Sequence, residues 1–155
     1  MNGSAVNGII TFEQQTQNDP VQILVNITGL QKGQVVTKHG LHVHQKAINV
    51  IESDPKTMCG SSGPHFNPTN TTHGDITSQV RHIGDFGNVI ADQNGIILVR
   101  FNDTVSKLYG PFGIIGRTIV LHALEDDLGL KEDQGSKATG NSGDRVACGV
   151  IGILN

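Results

Sequence analysis

The stretch Val21-Gln22-Ile23-Leu24-Val25-Asn26-Ile27-Thr28 sets a branched aliphatic residue at every second position, with Gln22, Asn26 and Thr28 interleaved. Successive side chains of an extended chain point to opposite faces, so this period of two makes a strand with one buried face. Working outward, 6–13, 40–44, 118–122 and 146–154 read as further strands by alternation and β-branching. Residues 89–91 and 96–101 flank Asp92-Gln93-Asn94-Gly95, and Asn-Gly between apolar runs signals a hairpin. Helical periodicity is nearly absent, apart from a short turn around 124–128. Many short strands with glycine-rich turns point to an all-β sandwich or barrel.

Two regions break this rhythm. Residues 45–80 and 125–145 are polar, rich in Gly, Ser, Thr, Asn and Asp, and too long to be simple turns. Loops of that length in a compact domain are usually functional or disordered. The 155 residues fit one domain, 1–155, large enough to bury a real core. No apolar run is long enough to span a bilayer, and no charged-then-apolar leader follows Met1, so no membrane association is expected. The net charge of −3, with no dense basic stripe, argues against a nucleic-acid partner. Asn26-Ile27-Thr28, Asn70-Thr71-Thr72 and Asn102-Asp103-Thr104 are glycosylation sequons, which leave both cytoplasm and secretion open. Cys59 and Cys148 read either as two buried thiols or as one bridge pinning a long loop to the last strand.

Chemistry enters with the histidines. In Gly40-Leu41-His42-Val43-His44 the two imidazoles share one face of a strand, while Leu41 and Val43 point into a core. His65, His73, His82 and His122 follow, with Asp85 three residues past His82. Imidazole is the commonest protein ligand for copper and zinc, and a carboxylate often completes a zinc set. His39 stands outside the pattern, at a strand entry, and reads as a structural residue bonded to backbone. The series as a whole reads as a metal site.

The segments His42-Val43-His44, Gly63-Pro64-His65-Phe66-Asn67-Pro68, His73-Gly74, 81–88, 113–117 and 140–152 resemble those of the copper/zinc superoxide dismutases, from about Val6 to the C-terminus. The resemblance implies a Greek-key β-sandwich, or flattened barrel, of about seven or eight antiparallel strands with two long functional loops. It implies a copper ion held by His42, His44, His65 and His122. It implies a zinc ion held by His65, His73, His82 and Asp85, so that His65 bridges the two. Asp126 would link a copper histidine to a zinc histidine, and Cys59 and Cys148 would form the intrasubunit disulfide. Superoxide is the implied substrate, one molecule being oxidised to dioxygen and a second reduced to hydrogen peroxide, with His65 taking up and returning a proton. Arg145 would guide the anion, and Thr139 would stand across the channel mouth. A second copy in a homodimer and a copper chaperone are the implied protein partners. The contrasting expectation is a dismutase-like domain that binds or hands on metal with little turnover.

Three departures from the family pattern stand out. The family's usual strand ahead of 6–13 has only Met1 to Ala5 to occupy it, which leaves a sheet edge in need of cover. The segment between His44 and Cys59 is longer than usual and begins Gln45-Lys46-Ala47-Ile48-Asn49, which changes a loop that helps to form the family's dimer and adjoins His44. In the second loop Glu132, Asp133, Gln134 and Gly135 precede Lys137 in an altered register, which implies weaker steering of the anion.

Overall fold

The computed structural model describes residues 6–33, 35–52 and 54–154. In chain order the elements are β1 (Asn7–Glu13), β2 (Val21–Thr28), β3 (Thr37–His44), α1 (Pro55–Gly60), β4 (Asp85–Ala91), β5 (Ile97–Asp103), β6 (Thr118–His122), α2 (Gln134–Thr139) and β7 (Arg145–Val150). Among the described residues seven antiparallel strands build two sheets, ordered β1-β2-β5 and β4-β3-β6-β7. The chain crosses from sheet to sheet three times, between β2 and β3, β4 and β5, and β5 and β6, as a Greek-key sandwich requires.

The core follows from the alternation. Val21, Ile23, Val25 and Ile27 of β2 are buried while Gln22, Asn26 and Thr28 are exposed. The buried set shares one apolar core with Leu41 and Val43 of β3, Val89 of β4, Ile97 of β5 and Leu121 of β6. Phe86 joins the layers, its ring 6.4 Å from Phe12 and 6.1 Å from Phe101.

The Asn-Gly signal marks a turn but not a ladder. Asp92 Oδ1 accepts from the backbone of Asn94 and Ile96, and Gly95 N–H donates to Asp92 O. Yet β4 and β5 belong to different sheets and do not pair. Gly95 has φ +73°, and a Cβ there would stand 2.2 Å from Leu30 O. The turn is packed under Leu30 and sends the chain across the sandwich. The hairpin expectation is corrected accordingly.

The six-residue helices α1 and α2 carry no periodicity to read. Each is set by its cap: Asp54 accepts from Thr57 N–H, and Asp133 from Ser136 N–H. Both lie inside the long polar regions. The expected turn at 124–128 falls at Leu128 and Gly129.

Among the described residues β1 pairs only with β2, and β7 only with β6. A groove of about 400 Å³ lies between them, walled by Ile10, Phe12, Ile27, Leu121 and Ala147. It borders β1, the outer strand of its sheet among the described residues; Met1 to Ala5, on which the expectation of an uncovered edge rests, lie outside the described residues. No helix among the described residues is long and apolar enough to cross a membrane.

Candidate metal centre

Sheet register brings half of the site together. From His39 to His44, β3 is buried on both faces. Leu41 and Val43 fill the sandwich core, while His42 and His44 meet groups from the two long loops. His122 ends β6, with Arg145 of β7 as its cross-strand partner. Asp85 opens β4 and pairs with His42 across a register shift. A bridge between His44 and His65 ties the first loop to the end of β3, and Phe66 N–H donates to Val43 O at 2.8 Å.

The imidazole nitrogens can be assigned from their partners. A carbonyl oxygen only accepts, so His44 Nδ1 donates to Gly63 O at 2.7 Å and His122 Nδ1 to Gly143 O at 3.1 Å. In a neutral ring the other nitrogen is then bare. These bare nitrogens, His44 Nε2 and His122 Nε2, face each other at 3.3 Å. His42 Nε2 donates to Asp126 Oδ2 at 2.8 Å, which leaves His42 Nδ1 without a hydrogen-bond partner. His65 Nε2 is also buried without one. Opposed lone pairs repel unless a cation lies among them. His42, His44, His65 and His122 offer ligand atoms within 4.8 Å of one another, so this set fits a metal ion.

The other edge of His65 belongs to a second set. His65 Nδ1 lies 2.9 Å and His82 Nδ1 3.1 Å from Asp85 Oδ1, and the two nitrogens are 3.4 Å apart. His73 Nδ1 is 2.9 Å from Asp85 Oδ2 but off the hydrogen-bonding direction. By mutual distance His42 also groups with His65, His73 and Asp85. His82, expected in this set, is absent from that grouping, although its Nδ1 is aimed at the shared carboxylate of Asp85. His42 meets a carboxylate only through Nε2, on Asp126.

Electrostatics separate the roles. Burial, reinforced by His65, pushes His42 down to about 3 and His44 down to about 2, and burial pushes His122 down to about 4. Burial lowers His65 as well. These rings are neutral lone-pair donors. Burial opposes charge on His73 too, but the hydrogen bond to Asp126 and the adjacent Asp85 carboxylate outweigh it and raise the group to about 9. Burial alone would raise Asp85 and Asp126, yet their histidine hydrogen bonds hold both below the usual carboxylate range.

Asp126 spans the two sets, with Oδ2 on His42 and Oδ1 on His73 at 2.7 Å. Asn88 holds its backbone from both sides, accepting from Asp126 N–H and donating to Asp126 O, each at 2.8 Å. Gly140, with φ +66°, closes over the pair; a Cβ there would come within 1.8 Å of Asp126 Oδ1. Arg81 is buried, pairs with Asp103, and donates to Asp85 O at 2.6 Å, which anchors the start of β4. Asn88 and Arg81 stand within the motif 81–88, but the sequence reading gave them no role. Gly140 and Asp103 carried no signal of their contacts.

Arg145 is clamped. Its Nη1 donates to Cys59 O, Gly60 O and Ser62 Oγ, and its Nη2 to Gly63 O at 2.8 Å. The same loop is fastened to β7 by the Cys59–Cys148 disulfide, so the bridge, not the thiols, is the correct alternative. His39 is structural as expected, with Nδ1 donating to His122 O at 2.8 Å. Thr139 is exposed, and its hydroxyl donates to Gly135 O instead of meeting any histidine. Lys137 Nζ donates to Gly129 O and lies 3.6 Å from Glu132.

A family profile described as copper/zinc superoxide dismutase matches residues 6–151. The chain belongs to that family. It is similar to the Cu-Zn superoxide dismutase of Schizosaccharomyces pombe, 49% identical over 150 residues that cover 97% of this chain and 92% of the relative. The Cu-Zn superoxide dismutase of Saccharomyces cerevisiae is 41% identical, covering 98% and 93%. An extracellular Cu-Zn superoxide dismutase of Drosophila melanogaster is 47% identical, covering 96% of this chain and 76% of the relative. The family is one of oxidoreductases with copper and zinc as its metals, and the two histidine sets of this dismutase provide for both.

Proposed function

We propose that the protein converts superoxide to dioxygen and hydrogen peroxide, with copper at His42, His44, His65 and His122 and zinc at His65, His73, His82 and Asp85. The observation that carries this reading is His65, one buried ring with Nε2 aimed at the first set and Nδ1 at the carboxylate of the second. When bound, copper supplies a centre that gains and loses one electron, which zinc with its filled d shell does not.

The protein's own residues do the rest. His44 and His122 are locked in one tautomer by Gly63 O and Gly143 O, so their Nε2 atoms stay available. His42 is locked by Asp126. His65 Nε2 is the atom at which a proton is held and handed to the reduced substrate, while Asp85 keeps the ring in place through Nδ1. Arg145, fixed by four acceptors, presents a positive charge that attracts and orients the small anion. Thr139 stands at the mouth of the approach.

This reading treats residues 1–155 as one dismutase-like domain. It includes a second copy as dimer partner and a copper chaperone as the source of copper. The inserted segment after His44 exposes Val50 and Ile51, and so alters the surface offered to either partner. Metal content measured beside superoxide consumption on the purified protein tests the enzyme. About one copper and one zinc per chain with rapid consumption is expected. Full metal with negligible consumption would make it a metal-binding module instead. Light scattering on the same sample tests the dimer, and copper transfer from a loaded chaperone tests that partner.

A further inference from the structure

Asp103 ends β5 in the three-stranded sheet, and Asp85 opens β4 in the four-stranded one. Arg81, buried, joins the two. Its Nη2 donates to Asp103 Oδ1, and its Nη1 donates to the main-chain oxygen of Asp85 at 2.6 Å. Asp103 is itself fixed, since Oδ2 accepts from Ser106 N–H at 2.8 Å and Oδ1 from Val105 N–H at 3.2 Å. The Thr71 hydroxyl donates to Arg81 O at 2.8 Å, so the same residue also ties down the segment that leads to His73.

Asp85 is thereby held at both ends. Its Oδ2 accepts from the backbone N–H of Gly74 at 3.1 Å and of His82 at 2.8 Å, while Arg81 grips its carbonyl oxygen. Its Oδ1 meets His65 Nδ1 and His82 Nδ1 together, so any shift of this residue misaims both contacts at once. A guanidinium in the protein interior keeps its place only beside a counter-charge, and Asp103 supplies it. Desolvation offsets much of the attraction within such a pair, so its main effect here is on direction.

We propose that Asp103 is a positioning residue for the zinc set: through Arg81 it fixes the Asp85 carboxylate on which His65 and His82 converge. The proposal rests on the zinc assignment given above. It makes a residue at the end of the opposite sheet set how tightly, and in what geometry, the second metal is held.

Cobalt(II) placed in the zinc site of the copper-loaded protein tests this, because its visible spectrum reports ligand geometry; chelator competition gives zinc affinity beside it. Asp103→Asn should shift the cobalt bands and weaken zinc binding about tenfold, the scale of lost support behind a metal ligand. That variant leaves a buried charge unpaired and is the one most prone to unfold. Arg81→Met with Asp103→Leu removes both charges at similar volume, and should fold yet show the same shift and the same loss. Arg81→Lys keeps the charge without the fork that reaches both partners, and should lose less. A purely structural ion pair would lower the melting temperature and leave the cobalt bands unmoved. The parent's spectrum and affinity in any folded member of the three would overturn the proposal. A parent protein that takes up neither zinc nor cobalt would remove the zinc assignment beneath it as well.

Discussion

His42, His44 and His122 stand on strands, whereas His65, His73 and His82 stand on the irregular stretch between α1 and β4. The strand-borne rings inherit their positions from ladder hydrogen bonds that the whole sandwich maintains. The loop-borne rings depend on a scatter of side-chain contacts: Asp126 on His73, Arg81 on the backbone of Asp85, and Asp85 among the rings themselves. The strand half is therefore preorganised by the fold, and the loop half is assembled by polar bonds that metal completes. His73, the one ring raised in basicity, lies on the loop side between two carboxylates. On the proposed assignment a metal ion entering there would displace a proton, whereas the strand rings are already neutral.

The largest effect expected from breaking this contrast comes at a strand position. His122→Ala should reduce superoxide consumption to background while leaving a folded protein that still takes up zinc. Metal analysis with activity on one preparation checks it, and undiminished activity would remove the copper assignment. Loss of the loop's covalent anchor should come next. Cys59→Ser opens a bridge that spans 89 residues, for which chain-entropy reasoning gives about 4–5 kcal/mol. Denaturant unfolding of the metal-loaded protein reads this out; a loss under about 1 kcal/mol would mean that the loop holds itself, against that estimate.

Asp126→Asn tests the link between the halves. Metal affinity should fall about 10–100-fold, as for other partners of metal-ligating histidines, and zinc should suffer more than copper. Competition with a chelator measures both, and equal losses would erase the distinction between preorganised and assembled halves. The smallest effect concerns substrate arrival. Arg145→Glu should slow consumption about tenfold at low ionic strength, with the gap narrowing as salt is added. Rates that match the parent at every salt concentration would deny the arginine its guiding role.

β2 was legible because half-burial leaves a period of two, whereas β6, buried at every position, was legible by its β-branched run. The metal-binding histidines were legible because their residue type is rare and their spacing matches a known series. The turn at Asp92–Gly95 was read correctly but its outcome was not, since local dihedrals do not say which sheet receives the next strand. α1 and α2 escaped because six residues make too short a window for a helical period. Asn88, Gly140 and Asp103 escaped because their roles lie in contacts with distant segments. A glycine that spares Asp126 a collision looks like any other glycine in a chain that has 20.

One oxygen has a disproportionate reach. Gly63 O accepts from His44 Nδ1 and from Arg145 Nη2, so a single peptide plane sets both the tilt of a ligand ring and the aim of the guide. Rotating that plane would retune capture and redox chemistry in one movement. Natural drift and laboratory redesign alike meet the two properties here as one inseparable trait.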